Sequence, residues 1–585
     1  MSDQPFSAFI LAAGKATRFK SSYPKVLHPL AGLPLGGYVL RAVITAGPKD
    51  VYMIIGYQGE RVREAFARPN LRWVEQKEPK GTGHALMAAR HELEGLTTPT
   101  IMVVVGDAPL LRAQTLADLV RTHLQSKAAA TILTMRLDDP QGYGRVLRAS
   151  GSRVQAIIEE QLCTAAQKKI REVSSGILCF DRLQLLRHLD KLDSNNAQNE
   201  YLLTDLVGLL YRHKQKVIAF PVKEAGEVLG VNDRKDLARA EKILRLRKAE
   251  SLMAEGVTIS NPETTYLDSD VQVGQDSVIE PGVSLLGETR IGAECRIRVG
   301  CVIVDSVLGD HVTVRPYSVI SGSEIGSKVI VGPFGHIRDG AVLEDEARIG
   351  NFVEVKKSRI GRRSKAWHLS YLGDATLGQD VNIGAGTVTC NYDGQRKNPT
   401  TIEDQVFIGS GTMVVAPVKI GRGAYVGAGS TITEDVPPES LALGRARQII
   451  KEDWAHQHHG DHKPTSAEFR LNERQSGSIT ILDLQGPLIM GPAVEEYRQR
   501  IRNLLGLGRR RVLLNLSEVA YLDSAGLGAL VGALTAFRKA RGELKLANIP
   551  AKVRTIMETA RLDRAFDIYG DEPSAIASFH PPLNL

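Results

Sequence analysis

This sequence has few cysteines and few aromatic residues for a chain of 585 residues. The five cysteines form no CxxC pair and have no regular spacing: Cys163, Cys179, Cys295, Cys301 and Cys390. Such an odd, scattered set disfavours a disulfide framework and is typical of reduced thiols in the cytoplasm. Aromatic residues make up only 5 % of the chain, whereas glycine occurs 55 times. This combination disfavours one large conventional core and indicates a repeat that glycines punctuate.

The sequence also lacks long hydrophobic segments. Its beginning contains no basic region followed by a long apolar run, so no signal peptide is predicted. The longest apolar stretch near the end, residues 525–537, is too short to span a bilayer. The net charge of +8 is spread along the chain, and we interpret it as solvated surface. We therefore expect a soluble, cytoplasmic protein with no nucleic-acid partner and no membrane insertion.

The first region, residues 1–232, alternates short β-branched runs with helical patterns. Three of the runs are predicted to be buried strands: residues 8–11, 51–55 and 101–105. An amphipathic helix is predicted through residues 116–124. This alternation predicts a doubly wound, Rossmann-like α/β sheet that binds ligands at the carboxyl ends of its strands.

Two polar segments are predicted to connect domains. Residues 233–255 are highly charged, and Asp233 has the position of a helix N-cap, so we expect a linker helix that contributes little to any core. Residues 454–476 include HQHHGDHKPTS and have no apolar period, which predicts a flexible linker. Its histidines lack the carboxylates or thiols that would complete a metal site.

Between these connections, in residues 256–453, apolar residues recur every six positions. They form three long series: Val273, Ile279, Leu285, Ile291, Ile297 and Ile303; Ile325, Val331, Ile337, Leu343, Ile349 and Val355; and Ile402, Ile408, Val414, Ile420, Val426 and Ile432. This period predicts short strands that turn a corner every six residues around a narrow prism. It is the repeat of the left-handed parallel β-helix, found mainly in acyltransferases. The repeat breaks between Thr389 and Thr400, which predicts a protruding, functional loop.

Phosphate-binding features follow the first strands. The strand at residues 8–11 leads directly into AAGKATR, where small residues let backbone N–H groups approach phosphates. Lys15 and Arg18 can neutralise a triphosphate there. Further motifs are YPKVL (23–27), Gln76, GTGH (81–84) and VGD (105–107). Asp107 ends a buried strand, which is where a metal-binding carboxylate belongs in a phosphoryl-transfer enzyme.

Together these motifs resemble the sugar-nucleotide pyrophosphorylases. Residues 1–453 resemble in particular the bifunctional bacterial family that acetylates glucosamine-1-phosphate and uridylylates the product to UDP-N-acetylglucosamine. The resemblance implies that the uridine nucleotide contacts Leu11, Ala12, Ala13, Gly14, Lys25, Gln76, Gly81 and Thr82. It implies that the sugar contacts Gly144, Glu159, Asn232 and, where the family usually has an asparagine, Ser174. It also implies that Asp107 and Asn232 share Mg2+.

In the implied nucleotidyltransferase reaction, an oxygen of the sugar phosphate attacks the α-phosphorus of UTP and pyrophosphate leaves. Because no covalent intermediate is needed, positioning and charge neutralisation by Arg18, Lys25 and Mg2+ carry the step. The chain departs from the family pattern at two further positions. Ala16 replaces a loop glycine, which we expect to tighten the turn, and Val105 replaces a commonly aromatic residue.

The candidate acetyltransferase site lies in the β-helix around His368, on the coil before the protruding loop. An amine that attacks the acetyl thioester of acetyl-CoA must lose a proton, and histidine is suited to accept it near neutral pH. The resemblance implies that the amino-sugar phosphate contacts Arg338, Lys356, Tyr371 and Asn382. It implies that acetyl-CoA contacts Ala385, Asn391, Tyr392, Ser410, Ala428 and Arg445. Because prisms of this family form trimers with active sites between subunits, a homotrimer is expected.

The last region, residues 477–585, is predicted to be a compact α/β domain. Its segments GSITILDLQGPLIMG and VLLNLSEVAYLDSAGLG resemble the STAS domains of anti-sigma-factor antagonists. The resemblance places Ser524 at a helix N-terminus. There it can be an N-cap or a serine phosphorylated by a partner kinase of the anti-sigma-factor type, and the sequence leaves both open.

Three functions therefore stay open. The leading hypothesis is a two-reaction enzyme with a regulatory tail. The first alternative is a nucleotidyltransferase for another sugar-1-phosphate with an idle acetyltransferase, and an intact set of acetyltransferase residues argues against it: His368, Tyr371, Asn382 and Arg445. The second is a STAS-mediated regulatory scaffold with weakened catalysis, which only Ala16 and Ser174 favour.

Overall fold

The computed structural model describes residues 5–149, 151–196, 199–455 and 468–579. The chain divides into two compact units, Met1–Ala446 and Arg447–Leu585. In the ranges described, no helix combines the length and the apolar character that crossing a membrane requires.

The first domain is built on a mixed sheet. Its strands lie in the order Val217–Pro221, Ala130–Arg136, Glu172–Asp181, Thr100–Val105, Phe6–Leu11, Asp50–Ile55 and Leu71–Glu75. Neighbours run parallel except at Glu172–Asp181, which is antiparallel to both of its neighbours. Two antiparallel strands, Arg145–Arg148 and Val154–Ile158, extend the sheet through the pair Val173–Arg145. The hairpin Pro29–Leu30 and Leu33–Pro34 stands apart.

Helices cover both faces of this sheet. The α-helices are Leu35–Thr45, Gly59–Phe66, Thr82–Ala88, Arg90–Gly95, Ala113–Ser126, Ala165–Lys168, Arg182–Leu189 and Asp205–Arg212, and the 3-10 helices are Lys25–Leu27, Glu160–Leu162 and Ala225–Val228. Alternate residues of the first strand enter separate cores, Ala8 and Ile10 on one face and Phe9 on the other. A strand buried on both faces has this pattern. The predicted doubly wound α/β sheet is confirmed.

Helix Arg234–Ala254 connects the first domain to the second. Asp233 caps it by accepting hydrogen bonds from the backbone N–H groups of Lys235 and Asp236, as predicted. The expectation that this helix contributes little to any core is wrong. Ala240 belongs to an apolar cluster of the first domain, and Ala249 and Leu252 belong to the core of the second. The helix buries a few apolar side chains at two separate points along its length. For this reason its sequence shows no continuous apolar stripe.

The second domain is a prism of short parallel strands stacked in three faces. Its first face consists of Thr258–Ile259, Val278–Ile279, Arg296–Ile297, Thr313–Val314, Ile330–Val331, Asn382–Ile383, Phe407–Ile408, Tyr425–Val426 and Leu441–Ala442. Its second consists of Tyr266–Leu267, Ser284–Leu286, Val302–Val304, Val319–Ser321, His336–Arg338, Val388–Cys390, Met413–Val415 and Thr431–Ile432. Strands Arg348–Lys356 and Lys365–Gly373 round the corner and join these two faces.

The third face consists of Gln272–Val273, Arg290–Ile291, Val307–Leu308, Glu324–Ile325, Val342–Leu343, Arg359–Ile360, Ala375–Leu377, Thr400–Ile402 and Val418–Ile420. A 3-10 helix, Pro262–Thr264, precedes the second face. Every residue of the three predicted series of six is buried in one continuous core. The left-handed parallel β-helix predicted from the repeat is confirmed. Residues 391–399 form the predicted loop between two strands.

One corner of the prism changes character along its length. In the lower coils it carries Tyr317, Phe334 and Phe352, whose rings stack at centroid distances of 5.8 and 5.2 Å. The next coil carries Leu369, and the coils above carry glycines with φ of 72–75°: Gly386, Gly411 and Gly429. Left-handed backbone is least costly for glycine. Large side chains therefore disappear from this corner just above the coil of His368.

The second unit contains a five-stranded sheet: Arg470–Ser476, Ile479–Leu488, Arg511–Leu522, Glu543–Ala547 and Asp567–Tyr569. Its helices are Pro492–Gly506, Ser524–Lys539, Ala551–Thr559 and Glu572–Ala577. The predicted linker 454–476 is wrong at its end, because residues 470–476 form a strand antiparallel to Ile479–Leu488. Arg474 holds that strand through ion pairs with Asp483 and Glu572, so polar residues could belong to it. The linker histidines lie outside the described residues.

Candidate active sites

A cleft of about 410 Å³ opens at the carboxyl ends of the central strands of the first domain. The predicted nucleotide residues that line it are Leu11, Ala12, Ala13, Gly14, Lys25, Gln76, Gly81 and Thr82, together with Asp107. They meet because Phe6–Leu11 and Thr100–Val105 are neighbouring parallel strands. The loops after such strands leave the sheet at the same edge, where α/β sheets bind ligands.

The Gln76–Thr82 wall of the cleft is held by hydrogen bonds. Gln76 Nε2 donates to the carbonyl of Gly81 over 3.0 Å, and Thr82 Oγ1 accepts from the N–H of Leu203 over 3.1 Å. Gly81 has φ of 100°, and a Cβ there would lie 2.5 Å from the carbonyl oxygen of Tyr201. Only glycine fits this close approach of two backbone segments. The wall therefore has its shape before any ligand binds.

Lys25 bridges the two predicted metal ligands. Its ammonium donates to Asp107 Oδ2 over 2.5 Å and to Asn232 Oδ1 over 3.1 Å. The two oxygens therefore already converge on one cation. Carboxylate and amide oxygens suit Mg2+, which usually takes one or two protein ligands and completes its shell with water and phosphates. Within the described ranges no cluster of three or more His, Cys, Asp or Glu side chains is suited to a metal.

The predicted sugar residues lie along one side of the antiparallel extension. A Cβ at Gly144 would stand 3.5 Å from the Glu159 carboxylate, and the N–H of Ser174 donates to the Gly144 carbonyl over 2.9 Å. Thr204 Oγ1 donates to Glu159 over 2.9 Å. The structure thus brings Gly144, Glu159 and Ser174 together.

An ion pair that was not predicted from the sequence lies behind this sugar side. Arg145, only 1 % exposed, pairs with Glu160 over 2.8 Å, and Glu160 also accepts from the N–H of Gly142 over 2.9 Å. The pair fixes the turn that precedes Gly144. The charged residue directly after Gly144, in the sequence YGR, was the feature that could have indicated this ion pair.

Two residues of the phosphate loop differ from expectation. Arg18 is exposed and does not line the cleft, whereas Lys15 and Thr17 do. Ala16 is 3 % exposed and packs in the apolar cluster that includes Phe19 and Ala240. Its methyl group therefore fills a contact between the loop and the connecting helix.

In the prism, His368 lies opposite Asn351 of the preceding coil. His368 Nδ1 is 2.8 Å from Asn351 Oδ1, and the two residues are directly paired across neighbouring strands. With Nδ1–H donating to the amide oxygen, Nε2 is the basic nitrogen. His368 is exposed, so Nε2 can reach a substrate. Asn351 was not predicted, although it precedes His368 by 17 residues, one coil of the repeat.

Above His368 the predicted acetyl-CoA residues form a column. The N–H of Gly386 donates to Leu369, that of Gly411 to Ala385 and that of Gly429 to Ser410, over 2.7–2.8 Å. Arg445 Nη1 donates to the carbonyl of Ala428 over 2.9 Å. Above His368, small side chains and the corner glycines therefore take the place of large side chains, and we call this strip of the corner the groove.

Beside this corner, on the second face, the predicted anion residues assemble. Arg338, Lys356 and Tyr371 lie on stacked strands, and Asn391 Nδ2 is 3.4 Å from the Tyr371 hydroxyl. Asp374 accepts from Asn391 over 2.6 Å and pairs with Lys356 over 3.7 Å.

A second lysine, which the sequence analysis missed, joins this cluster from the loop. The neighbouring Lys356 ammonium holds the pKa of Lys397 below its usual range. Two adjacent cations of this kind favour a phosphate. The position of Lys397 in the protruding loop was the sequence feature that could have identified it.

Two predicted residues stand apart from these groups. Asn382 pairs with Lys365 and Phe407 on the first face, so within one chain it lies on the other side of the His368 corner from Tyr371. Tyr392 is 62 % exposed and its hydroxyl donates to the carbonyl of Gly394 over 2.7 Å. Both side chains can therefore contact groups outside the face of the prism on which they lie.

In the second unit, Ser524 is exposed at the first position of helix Ser524–Lys539. The N-cap is the preceding residue, Asp523, which accepts from the N–H of Gly526 over 2.8 Å and from that of Met490 over 2.8 Å. The N-cap role considered for Ser524 is therefore wrong, and its hydroxyl is not used to cap this helix.

Family comparisons divide the chain in the same way as the fold. Residues 8–179 match the MobA-like NTP transferase domain, residues 262–368 the GMPPB C-terminal domain, residues 399–434 the bacterial transferase hexapeptide (six repeats) and residues 470–575 the STAS domain.

The chain is also similar to whole relatives over about three quarters of its length. The chain is 47 % identical over 457 residues to the bifunctional protein GlmU of Koribacter versatilis, which covers 77 % of this chain and 97 % of the relative. It is 48 % identical over 445 residues to that of Carboxydothermus hydrogenoformans, with 76 % and 99 % covered. The relative from Trichlorobacter lovleyi is 46 % identical over 449 residues, with 77 % and 97 % covered.

Proposed function

Since this chain belongs to the bifunctional GlmU family, we propose that it makes UDP-N-acetylglucosamine in two reactions. It transfers the acetyl group of acetyl-CoA to glucosamine-1-phosphate, and then transfers the uridylyl group of UTP to the product. The observation that carries this proposal is that one chain holds two separate sites. Lys25, Asp107 and Asn232 converge in the first, and His368 lies at the foot of the groove in the second.

In the first site the chain's residues position two anions. Backbone N–H groups of the loop after the first strand and the Lys15 side chain face the triphosphate, and Gly144 and Glu159 face the sugar. Mg2+, held by Asp107 and Asn232, would neutralise phosphate charge when it is bound. Lys25 leaves these oxygens for the phosphates and stabilises the charge that develops as pyrophosphate departs. We assign no direct contact to Arg18, since it is exposed beyond the cleft.

In the second site His368 Nε2 takes the proton that the amine loses as it attacks the thioester carbonyl. Asn351 holds the imidazole in the tautomer that this step requires. Lys356, Lys397 and Arg338 bind the sugar phosphate beside the corner. The acetyl-CoA arm lies along the groove past Ala385, Ser410 and Ala428, and Asn391, Tyr392 and Arg445 border it.

We further propose that the enzyme works as a homotrimer in the cytoplasm. Tyr317, Phe334 and Phe352 are each 47–57 % exposed along one corner of the prism, and a neighbouring prism would cover them. Asn382 would then face the site of a neighbouring subunit rather than its own. The reduced cysteines and the substrates acetyl-CoA and UTP support the compartment.

The STAS domain is proposed to receive a regulatory signal from a partner kinase at Ser524. Asp523 already caps the helix, so phosphorylation of the exposed serine would add charge without removing the cap. Met490 and Tyr521, 77 % and 54 % exposed, lie in the segments next to it. A partner that contacts this surface would sense the added charge.

One assay tests the enzymatic proposal. CoA release and pyrophosphate release are measured with glucosamine-1-phosphate, N-acetylglucosamine-1-phosphate, glucose-1-phosphate and mannose-1-phosphate. We expect CoA release only with glucosamine-1-phosphate and pyrophosphate release from UTP chiefly with N-acetylglucosamine-1-phosphate. Preference for another sugar phosphate, or no CoA release, would favour the alternative of a different sugar with an idle acetyltransferase.

A further inference from the structure

A half-open cavity of about 240 Å³ lies where the first domain, the connecting helix and the first coil of the prism meet. It is separate from both active sites. Its lining comes from all three elements: Ala31 and Tyr38 of the first domain, Leu244, Arg247, Lys248 and Ser251 of the helix, and Leu267 and Ser269 of the prism.

The helix presents an unusual face to this cavity. Leu244, Arg247, Lys248 and Ser251 are spaced by three or four residues around one side of helix Arg234–Ala254. On either side of this stretch the helix packs through apolar residues, at Ala240 toward the first domain and at Leu252 toward the prism. Between two apolar contacts, a side chain facing inward would ordinarily be apolar as well. Here two cations occupy that place.

Three other cations of the same helix are paired. Lys242, Arg239 and Arg245 each form an ion pair, with Glu263, Asp236 and Glu241 respectively. Among the residues that the structure describes, Arg247 and Lys248 form no ion pair, although both are half-buried. Arg247 Nη1 donates to the carbonyl of Leu110 over 2.7 Å. Burial lowers the pKa of both side chains, although carboxylates act on each of them without forming an ion pair: Glu224, Glu227 and Glu250 on Arg247, and Glu255 and Asp270 on Lys248.

The opposite wall adds a hydroxyl donor. Ser269 Oγ is shielded from solvent and lies beside the Tyr38 hydroxyl and the Asp270 carboxylate. Asp270 is engaged by a two-pronged contact with Arg41 at 2.8 and 3.0 Å, and the Tyr38 hydroxyl donates to Ala31 over 2.7 Å. The two carboxylates on either side of Ser269 are therefore both paired, Asp270 with Arg41 and Asp268 with Arg245 over 3.9 Å.

We propose that this cavity binds a small phosphate monoester. The phosphate would accept hydrogen bonds from Lys248, Arg247 and Ser269, and the carbon part would pack against Leu244 and Leu267. Two cations and a hydroxyl match a dianion better than a single carboxylate. The volume is below the roughly 300–1,000 Å³ of clefts for larger ligands, which suits a small phosphate monoester better than a nucleotide or CoA.

A ligand there would couple the two catalytic domains. It would touch the helix that carries Tyr38, the connecting helix and the first coil of the prism at once. Tyr38 follows the hairpin Pro29–Pro34, which begins two residues after the 3-10 helix of Lys25. The ligand would thus stiffen the joint next to the nucleotide cleft, which makes it a regulatory site rather than a third active site.

Thermal unfolding of the full-length protein tests this proposal. The probe is glycerol 3-phosphate, with glycerol and sodium sulfate as controls. We expect a saturating probe to raise the midpoint by about 2–4 °C and glycerol to leave it unchanged. The Lys248→Met variant should lose this shift, whereas Arg239→Met on the same helix should keep it. Without the probe, Lys248→Met should unfold at the same or a higher temperature, because an unpaired half-buried charge is removed.

The phosphate-binding cluster of the prism needs its own control. Lys356→Ala should keep the shift if the probe binds at the joint. A shift that survives Lys248→Met and disappears in Lys356→Ala would overturn the proposal, as would no shift with glycerol 3-phosphate, glucose 6-phosphate or inorganic phosphate. If Lys248→Met does not fold, Ser269→Ala serves instead and should weaken the shift. The readout needs neither enzymatic reaction, so its failure leaves the proposed function untouched.

Discussion

The nucleotide cleft and the acetyltransferase groove are built in opposite ways. In the cleft, Lys25 meets Asp107 and Asn232, which lie 82 and 207 residues further along the chain. In the groove, His368 meets Asn351 across a separation of 17 residues, and the whole column follows the ladder of the coils. The cleft depends on loops that leave distant strands, whereas the groove depends on the register of a repeat. The structural effect of a single substitution should therefore remain local in the groove and extend to more residues in the cleft.

The largest effect is expected from Asp107→Ala. Removal of this carboxylate takes away the partner of Lys25 and a predicted ligand of Mg2+, so pyrophosphate release should fall at least about a hundredfold. CoA release should be unchanged, because no residue of the groove belongs to the first domain. Asp118→Ala, on helix Ala113–Ser126 and outside the cleft lining, is the matched control and should be fully active. Loss of both activities in a folded protein would show that the two sites are coupled.

His368→Ala should lower CoA release by roughly two to four orders of magnitude, the usual range for a general base, with pyrophosphate release unaffected. Stopped-flow or thiol-trapping assays at saturating substrates measure this change. Near-normal turnover would mean that another group accepts the proton and that the column above His368 serves a different ligand.

Asn351→Ala should have a smaller effect on the same reaction. Loss of one hydrogen bond to the imidazole corresponds to about a tenfold decrease in kcat, with KM for acetyl-CoA little changed. Asn351→Asp keeps an acceptor and should restore most of the rate. Its carboxylate favours the imidazolium, so the acidic limb of the pH profile should move to higher pH. If both variants lower the rate equally and leave the profile in place, Asn351 only supports the coil.

The smallest effect is expected from deletion of residues 470–585. Both sites are complete by Arg445, so CoA release and pyrophosphate release should stay within about twofold of the full chain, as expected for independent sites. The trimer should also be retained. Ser524→Asp should likewise change only the binding of a partner protein. A large loss of either activity after the deletion would make the STAS domain an integral part of the enzyme.

The two regions also differ in how far the sequence alone predicts them. In the prism, the period of six identifies the buried residues and the interrupted repeat identifies the loop, because each residue's place follows from counting coils. The same counting would have found Asn351. In the first domain, strands are predictable from their apolar runs, but the pairing of Lys25 with Asn232 rests on loop conformations that no local pattern encodes. There the family resemblance supplied the residues.

Where the sequence analysis failed, small or polar residues carried structural roles. The connecting helix packs through Ala240 and Ala249, which hydrophobic periodicity weighs lightly. Strand Arg470–Ser476 contains one buried leucine among polar residues, and ion pairs of Arg474 hold it in place. Arg18 could be placed on the phosphate loop but not oriented, because side-chain direction depends on how the loop turns. The packing of Ala16 explains why this loop tolerates a methyl group.

The last turn of the connecting helix has a consequence for how such enzymes can be divided. A solenoid has an open end that exposes its core unless something covers it, and here Ala249 and Leu252 close it. An acetyltransferase fragment that began at Gly256 would therefore expose the apolar core at its first coil and would be prone to aggregation. A boundary between the two catalytic domains is therefore best placed before the helix. In any split or recombined version the helix must be kept with the prism, although it is continuous with the nucleotidyltransferase domain.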